Sequence, residues 1–149
     1  MSDWPTVMLV EDSAADVAAL SRAFRRWHGD AHVHHVADGE AALAHFHQVH
    51  RGRARPPELV LLDLNLGRTG GLDVLAEVKG DSALRRIPIV VLTRSLAERD
   101  IAAAYGLGAN AVVSKPLELP DLYRTLGRLL DFWLLEASQS RPSATGAMS

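Results

Sequence analysis

The sequence predicts an α/β fold with one five-stranded parallel sheet, doubly wound so that helices cover both of its faces. Five short apolar runs alternate with segments of helical periodicity along the 149 residues, a length that suits one domain with a single core. The runs are almost continuously apolar, as in strands buried on both faces of a parallel sheet. They cover residues 6–10, 32–36, 59–62, 89–93 and 111–114, of which the second is the weakest.

Helical patterns follow each of these strands. In the first helix Val17, Leu20, Phe24 and Trp27 share one face, and Ser13 can cap its amino end. The other helices are predicted over residues 40–51, 71–79, 97–105 and 120–136. From residue 138 onward the chain is small and polar, which predicts a folded domain over residues 1–137 and a disordered tail over 138–149.

Composition and charge exclude several classes of function. The chain has no cysteine, which excludes disulfides, thiolate metal sites and cysteine nucleophiles. Its formal net charge is -2, and the basic cluster of Arg51, Arg53 and Arg55 lacks the aromatic residues of a nucleic-acid surface. No segment approaches the ~18 apolar residues that span a bilayer, and the amino terminus lacks a secretory signal. We therefore expect a cytoplasmic protein that binds neither nucleic acid nor a membrane.

The residues that end the predicted strands carry the candidate chemistry. In doubly wound sheets the ligand crevice lies at the carboxyl ends of the strands. Three carboxylates, a hydroxyl and an ammonium would meet there, from Glu11, Asp12, Asp63, Thr93 and Lys115. Carboxylates packed together repel one another, and a hard divalent cation with oxygen ligands removes that conflict. The sequence therefore predicts a Mg²⁺ site at this edge of the sheet.

Oxygen ligands for this cation can be assigned individually. Asp12 and Asp63 suit direct ligation, Glu11 suits contact through water, and the backbone carbonyl of Asn65 can complete the shell. A single aspartate at a strand end is more often a turn or cap residue, and Asp12 could cap the first helix in place of Ser13. The combination of residue types at successive strand ends favours the metal site.

The same edge of the sheet suggests a reaction. Lys115 offers a compact positive charge and Thr93 a short donor, and both can stabilise a transferring phosphoryl group while Asp63 acts as nucleophile. A haloacid-dehalogenase-type phosphatase also uses an aspartate nucleophile and Mg²⁺. That enzyme needs a second aspartate two residues after the nucleophile, where this chain has Asn65. The phosphatase is therefore the weaker interpretation.

Together these motifs resemble the two-component response-regulator receiver domain over about residues 6–135. The residues that carry the resemblance are Glu11, Asp12, Asp63, Thr93, Lys115 and Pro116. The resemblance implies a flavodoxin-like (βα)5 fold and a histidine kinase that phosphorylates Asp63. It also implies that the acidic residues and the Asn65 carbonyl organise Mg²⁺, that Thr93 and Lys115 bind the phosphoryl group, and that the Lys115–Pro116 bond is cis.

The resemblance also implies a protein that is not an enzyme, since a receiver supports only its own phosphorylation and dephosphorylation. A pseudo-receiver, which binds partners without phosphoryl transfer, stays open as an alternative. Departures from the usual receiver pattern lie at Gly67, Gly70, Val112 and Arg94. Val112 stands where many receivers carry the aromatic residue that joins Thr93 in the activation switch. Arg94, bulky and directly after Thr93, could restrict access to the phosphoryl group, contact it, or point into solvent.

Two shorter stretches resemble the stand-alone regulators that are paired with phytochrome histidine kinases. The first comprises Asp63, Leu64, Asn65 and Leu66, and the second comprises Asp131, Phe132, Trp133 and Leu134. This resemblance implies a bacteriophytochrome as the partner kinase.

The last helix suggests a further burial partner. One of its stripes comprises Leu122, Leu126, Leu129 and Trp133, yet other apolar residues spread around the final turns. We expect a homodimer that buries Leu130, Phe132, Trp133 and Leu134; the alternative is that the helix end packs on its own domain. Too few residues follow Leu135 for an output domain, so we expect either signalling through protein binding or a role as a phosphoryl shuttle or sink. The expected mechanism is a shift between two conformers.

Overall fold

Five parallel strands form one sheet, in the order β2-β1-β3-β4-β5, in the computed structural model, which describes residues 3–94 and 97–136. The strands are β1 (Thr6–Val10), β2 (His32–Val36), β3 (Leu59–Leu62), β4 (Ile89–Thr93) and β5 (Ala111–Ser114). These bounds are the ones predicted from the apolar runs. The predicted tail, residues 138–149, lies outside the described residues.

The helices are α1 (Ala14–Arg26), α2 (Gly39–His50), α3 (Gly71–Lys79), α4 (Glu98–Gly106) and α5 (Leu119–Leu130), and a π-helix (Asp131–Glu136) continues α5. Ser13 caps α1 as predicted, because its hydroxyl accepts a hydrogen bond from the Asp16 N–H. Asp38 accepts from the Ala41 N–H at 2.7 Å and starts α2 one residue earlier than predicted. No helix in the described part of the chain is long and apolar enough to cross a membrane.

Helices cover both faces of the sheet, because alternate residues of each strand point to opposite sides. One face packs on α2 and α3 and includes Met8, Val10, Val60, Leu62, Ile89 and Val91. The other packs on α1 and α5 and includes Val7, Leu9, Leu59, Leu61, Val90 and Leu92. All twelve side chains are essentially buried. The two cores therefore fix the strands, and with them the carboxyl edge of the sheet.

Backbone hydrogen bonds extend the sheet by one residue at that edge. The Glu11 N–H donates to the Val36 carbonyl at 3.1 Å, the Asp63 N–H to the Val10 carbonyl at 3.1 Å, and the Lys115 N–H to the Thr93 carbonyl at 2.9 Å. Glu11, Asp63 and Lys115, which each follow a strand, are thus held in strand register. The side chains of the predicted site consequently leave the sheet from a fixed backbone.

The π-helix corrects part of the predicted dimer interface. Leu130 and Leu134 are 0% and 4% exposed and belong to the core on the α1 and α5 face, so neither is available to a second chain. The two leucines are four residues apart, a step that keeps side chains on the same side of a helix, and this side faces the core. Phe132 is 54% exposed and Trp133 is half-buried.

Candidate functional site at the carboxyl edge of the sheet

A buried ammonium joins three carboxylates at the carboxyl edge. Lys115 Nζ donates to Glu11 Oε1 at 2.6 Å, to Asp63 Oδ2 at 2.9 Å and to Asp16 Oδ2 at 3.0 Å. The Lys115 side chain is 2% exposed. Glu11, Asp63 and Lys115 were each predicted from the strand ends, and the structure brings them together.

Asp63 has a partner on each of its carboxylate oxygens. Oδ2 accepts from Lys115, whereas Oδ1 accepts from the Thr93 hydroxyl at 3.1 Å and from the Asn65 N–H at 3.1 Å. Thr93 is completely buried and Asp63 is 7% exposed. The carboxylate is therefore oriented by charge-assisted contacts from the ends of β4 and β5 and by one contact from its own loop.

Asp16 is a site residue that the strand-end rule does not identify, because it lies in the first turn of α1 instead of at a strand end. Its Oδ2 also accepts from Arg94 Nη1 at 2.7 Å, so one oxygen joins Arg94 to Lys115. The sequence left three possibilities open for Arg94. The structure shows a fourth, an ion pair with Asp16. One feature of the sequence could have identified Asp16. Because α1 follows β1 directly, the amino end of α1 must lie at the same edge of the sheet as the carboxyl end of β1.

The pKa values of the buried groups follow from this geometry. Burial raises the pKa of Glu11, although the hydrogen bond and charge of Lys115 oppose the shift. Burial alone would raise the pKa of Asp16 too, but the hydrogen bonds and charges of Arg94 and Lys115 outweigh it and lower that pKa. For Lys115, burial works toward a lower pKa, yet its bonds to three carboxylates raise it. The lysine is therefore held as an ammonium.

The acidic residues fit a divalent cation. Carboxylate oxygens of Glu11, Asp16 and Asp63 lie within 4.8 Å of one another, and hard oxygen donors of this kind suit Mg²⁺. Asp12 and Asn65, the other predicted ligands, are exposed and are not members of this group. Their roles as ligands stay predictions.

The predicted switch position on β5 has an aromatic neighbour from another element. Val112 is half-buried and packs on the core of the α2 and α3 face. Its backbone N–H donates to the Tyr105 hydroxyl at 3.1 Å, and Tyr105 on α4 is 51% exposed. An aromatic ring thus contacts the edge strand next to Val112, although the sequence places no aromatic residue on β5 itself.

The peptide bond between Lys115 and Pro116 is not cis as expected. The described residues include both Lys115 and Pro116 and contain no cis peptide bond, so this bond is trans. The trans form of an X–Pro bond is favoured by about 0.5–1 kcal/mol. Lys115 reaches all three carboxylates with this geometry.

The loop after Asp63 is packed against α3 without space for a side chain. A Cβ on Gly71 would lie 2.4 Å from the Asp63 carbonyl oxygen and 2.6 Å from the Leu64 Cα. The Gly71 N–H donates to the Leu64 carbonyl at 3.0 Å. The start of α3 is therefore in direct contact with the backbone of the candidate nucleophile.

The arrangement suits nucleophilic attack by a carboxylate on a phosphoryl group. Asp63 lies at the carboxyl edge of the sheet, and Lys115 orients one of its carboxylate oxygens. A cationic donor near a transferring phosphoryl group stabilises the charge that develops on that group. Asn65 stands where an aspartate-based phosphatase needs its second acid, and its N–H only holds Asp63 in place. The site therefore matches an acceptor of a phosphoryl group better than a phosphatase.

Known proteins share this sequence pattern. Residues 7–126 match the family model of the response regulator receiver domain. The chain is 40% identical over 129 residues to the response regulator Rcp1 of Synechocystis sp., covering 86% of this chain and 88% of that protein. It is 39% identical over 129 residues to the probable methanogenesis regulatory protein FilR2 of Methanothrix harundinacea, covering 86% of this chain and 83% of that protein.

Solved structures share the fold. The phosphorylated cyanobacterial phytochrome response regulator RcpA superimposes with a TM-score of 0.81 at 38% identity, covering 88% of this chain and 94% of that chain. The Mn(2+)-bound form of Rcp1 superimposes with a TM-score of 0.79 at 39% identity, covering 87% of this chain and 94% of that chain. These likenesses confirm the predicted flavodoxin-like (βα)5 fold. Because the family model matches residues 7–126 and Rcp1 is 40% identical over 86% of the chain, this chain belongs to the response regulator receiver domain family.

Proposed function

We propose that this protein is a stand-alone response regulator whose Asp63 accepts a phosphoryl group from a histidine kinase in a Mg²⁺-dependent reaction. The observation that carries the proposal is the Asp63 carboxylate at the end of β3, bonded to Lys115 on one oxygen and to Thr93 on the other. The proposed receiver domain spans residues 1–137. No enzymatic activity is proposed beyond the phosphorylation and dephosphorylation of the chain itself.

In the proposed reaction a carboxylate oxygen of Asp63 attacks the phosphorus of a phosphohistidine. The new P–O bond forms while the P–N bond breaks, and the histidine nitrogen keeps the electron pair and takes up a proton. Lys115 and Thr93 already contact Asp63, so they are placed to donate to the oxygens of the incoming phosphoryl group. Their role is to orient the group and to stabilise its charge.

Mg²⁺ is the proposed cofactor. Glu11, Asp12 and Asp63, with the Asn65 carbonyl, would hold it, and Asp16 has an oxygen within 4.8 Å of the Glu11 and Asp63 oxygens. The bound cation would neutralise charge on the phosphoryl oxygens. A Mn(2+)-bound form of the related Rcp1 supports a divalent metal at this kind of site.

Incubation with a small-molecule phosphodonor and Mg²⁺, followed by intact mass measurement, tests the proposal. We expect the protein to gain one phosphoryl group, and we expect no gain for Asp63→Asn or in the presence of a chelator. A pseudo-receiver would gain nothing under any condition. A phosphatase would release many phosphates per chain and keep no adduct. Either of the last two results would overturn the proposed function.

A bacteriophytochrome is the proposed partner kinase. The support is the likeness to RcpA, a cyanobacterial phytochrome response regulator, and to Rcp1. The similarly close FilR2 is a probable methanogenesis regulatory protein, so the pairing needs a direct comparison. The rates of phosphotransfer from two purified, autophosphorylated kinases are compared in parallel reactions. Transfer from a bacteriophytochrome kinase should be complete before transfer from an unrelated histidine kinase can be detected. Equal rates from both kinases would remove the proposed pairing.

The proposed output is a shift between two conformers that changes what the protein binds, with Thr93 and Val112 as the switch positions. A homodimer through the π-helix is part of this proposal. Phe132 and Trp133 form an edge-to-face pair with ring centroids 5.0 Å apart, and Phe132 is 54% exposed. Size exclusion with light scattering on Phe132→Ser and Trp133→Ser tests it. A monomeric parent, or dimers unchanged by both substitutions, would contradict the homodimer.

A further inference from the structure

We propose that Asp16 and Arg94 form a rim clamp that slows hydrolysis of the phosphoryl group on Asp63. In this clamp Arg94 shields the phosphorus from water, and Asp16 is the positioning residue that holds Arg94 in place. The inference rests on the proposed function, since it concerns the lifetime of the phosphoryl group and not whether Asp63 accepts one.

The anchor of the clamp is rigid. The Asp16 side chain is 12% exposed and projects from the first turn of α1, where its backbone N–H is bonded to the Ser13 hydroxyl at 3.2 Å. Its Oδ2 accepts from Arg94 Nη1 at 2.7 Å, a short charge-assisted contact. Because the carboxylate is fixed at both its backbone and its side chain, it restricts where the Arg94 guanidinium can lie.

The held guanidinium lies at the mouth of the site. Arg94 directly follows Thr93, whose hydroxyl contacts Asp63, and the Arg94 side chain is 44% exposed. Asp63 itself is enclosed by Thr93, Lys115 and the Asn65 N–H on its two oxygens. Arg94 Nη1 is linked to Asp63 through Asp16 and Lys115, by contacts of 2.7, 3.0 and 2.9 Å. In the clamp, a phosphoryl group on Asp63 projects toward solvent on the side where this guanidinium is held.

Hydrolysis needs a water molecule at that rim. The water oxygen bonds to phosphorus as the bond from phosphorus to the Asp63 oxygen breaks, the electron pair returns to the carboxylate, and the water proton leaves with inorganic phosphate. The attacking and leaving oxygens are roughly in line, so the water must approach from the solvent side. A side chain that fills this approach lengthens the life of the adduct.

Asp16 also prevents Arg94 from accelerating the reaction. A free arginine that donates to a transferring phosphoryl group stabilises the transition state. Here Nη1 is already bonded to Asp16. Asp16 shares the same oxygen with Lys115, so when Lys115 turns to the phosphoryl group, Asp16 keeps Arg94 as its cationic partner. The clamp therefore persists in the phosphorylated protein.

Decay of the phosphorylated protein after removal of the phosphodonor, followed by intact mass in Mg²⁺, tests the clamp. We expect Arg94→Ala to shorten the half-life by about five-fold, a modest change on the scale of reaction barriers. Asp16→Asn should shorten it similarly, and Arg94→Lys should restore most of the lifetime because it keeps a cation for Asp16. Arg53→Ala, in a basic loop at the opposite edge of the sheet, is the matched control and should decay like the parent.

The double variant Asp16→Asn with Arg94→Ala decides whether the two residues act as one unit. If Asp16 acts through Arg94, the double variant decays no faster than Arg94→Ala alone. Multiplicative effects, an unchanged half-life in Arg94→Ala, or a longer half-life in that variant would each overturn the clamp. A parent that takes up no phosphoryl group would instead overturn the proposed function, and the inference with it.

Discussion

Lys115 Nζ and Glu11 Oε1 lie 2.6 Å apart, with both side chains 2% exposed, and join the end of β5 to the end of β1. In the sheet order these strands are separated by β3 and β4, so the lysine reaches across the ends of both. One ammonium serves three carboxylates at this edge. The site therefore has an excess of negative charge that Lys115 compensates only in part.

Replacing Lys115 with methionine should destabilise the protein strongly when no divalent cation is present. The change leaves buried carboxylates without their ammonium, and breaking a buried ion pair in this way typically costs about 3–5 kcal/mol. Urea unfolding in a chelator measures the loss. Mg²⁺ should recover more stability in Lys115→Met than in the parent, because a cation then replaces the missing charge.

Glu11→Gln on the Lys115→Met background is the matched control for this explanation. Removing one of the crowded carboxylates should return part of the lost free energy of unfolding, because burial and like charges already disfavour the ionised Glu11. If the double variant is less stable than Lys115→Met, repulsion among the carboxylates is not the cause of the loss.

Gly71→Ala should impair both folding and phosphoryl uptake. The new Cβ would meet the Asp63 carbonyl oxygen at 2.4 Å, and backbone atoms cannot move aside as a flexible side chain can. Overpacking of this kind costs about 1–3 kcal/mol, and here the displaced backbone carries the nucleophile. Thermal unfolding and the rate of uptake from a small phosphodonor measure the two effects.

The neighbouring Gly70 supplies the control. A Cβ there would lie 3.7 Å from its nearest neighbour, the Leu64 carbonyl oxygen, which is ordinary contact. Gly70→Ala should cost at most about 1 kcal/mol at this helix-capping position and leave phosphoryl uptake unchanged. Equal effects of the two substitutions would show that close packing on Asp63 is not what makes Gly71 necessary.

The bounds of four strands could be predicted from the sequence because each of these is an apolar run that ends at a polar or turn residue, whereas β2, with three histidines in five residues, carried the weakest signal. The same runs placed Glu11, Asp63, Thr93 and Lys115 at one edge, since the carboxyl ends of parallel strands coincide. Asp16 was not found this way. Its contribution depends on how the first turn of α1 is oriented above the sheet, which strand periodicity does not specify.

The end of the chain was harder to predict for a physical reason. An apolar arc wider than one stripe indicates a second burial surface when the helix keeps 3.6 residues per turn. Hydrogen bonding becomes π-helical at Asp131, which alters that repeat, and Leu134 lies in the core. A hydrogen-bond register of this kind depends on tertiary contacts, such as the one between Trp27 and Asp131.

Lys79 should matter for stability and not for the phosphoryl chemistry. Its ammonium donates to the Arg85 carbonyl at 3.0 Å, the Ile87 carbonyl at 2.7 Å and Asn110 Oδ1 at 2.9 Å. These groups lie near the amino ends of β4 and β5, away from Asp63. Lys79→Met should lower the free energy of unfolding by about 2 kcal/mol, the size of a hydrogen bond that involves a charge.

Urea unfolding and phosphoryl uptake, measured on the same samples, separate the two roles of Lys79. Uptake by folded Lys79→Met should equal that of the parent. Arg85→Met is the matched control, because the Arg85 side chain is exposed and only its carbonyl takes part in the network. Slower uptake in fully folded Lys79→Met would mean that the network reaches the site.

The contact of Asp131 with the end of α1 should make stability depend on pH in the acidic range. The Trp27 indole N–H donates to Asp131 Oδ1 at 2.8 Å, and His28 Nε2 lies 2.8 Å from the same oxygen. The Trp27 hydrogen bond lowers the pKa of Asp131, slight burial opposes this, and His28 adds to the lowering. Arg26 and Arg124 line the same cleft.

A lowered pKa in the folded state means that the contact stabilises the protein above the unfolded value of 3.8 and that this stabilisation is lost as the pH falls through the lower folded value. The parent should therefore lose more stability between pH 6 and about pH 3 than Asp131→Asn does. Asp3→Asn, an exposed change near the amino end of the chain, is the control and should follow the parent. Identical acid profiles for the parent and Asp131→Asn would show that Trp27 and His28 do not couple the carboxylate to folding.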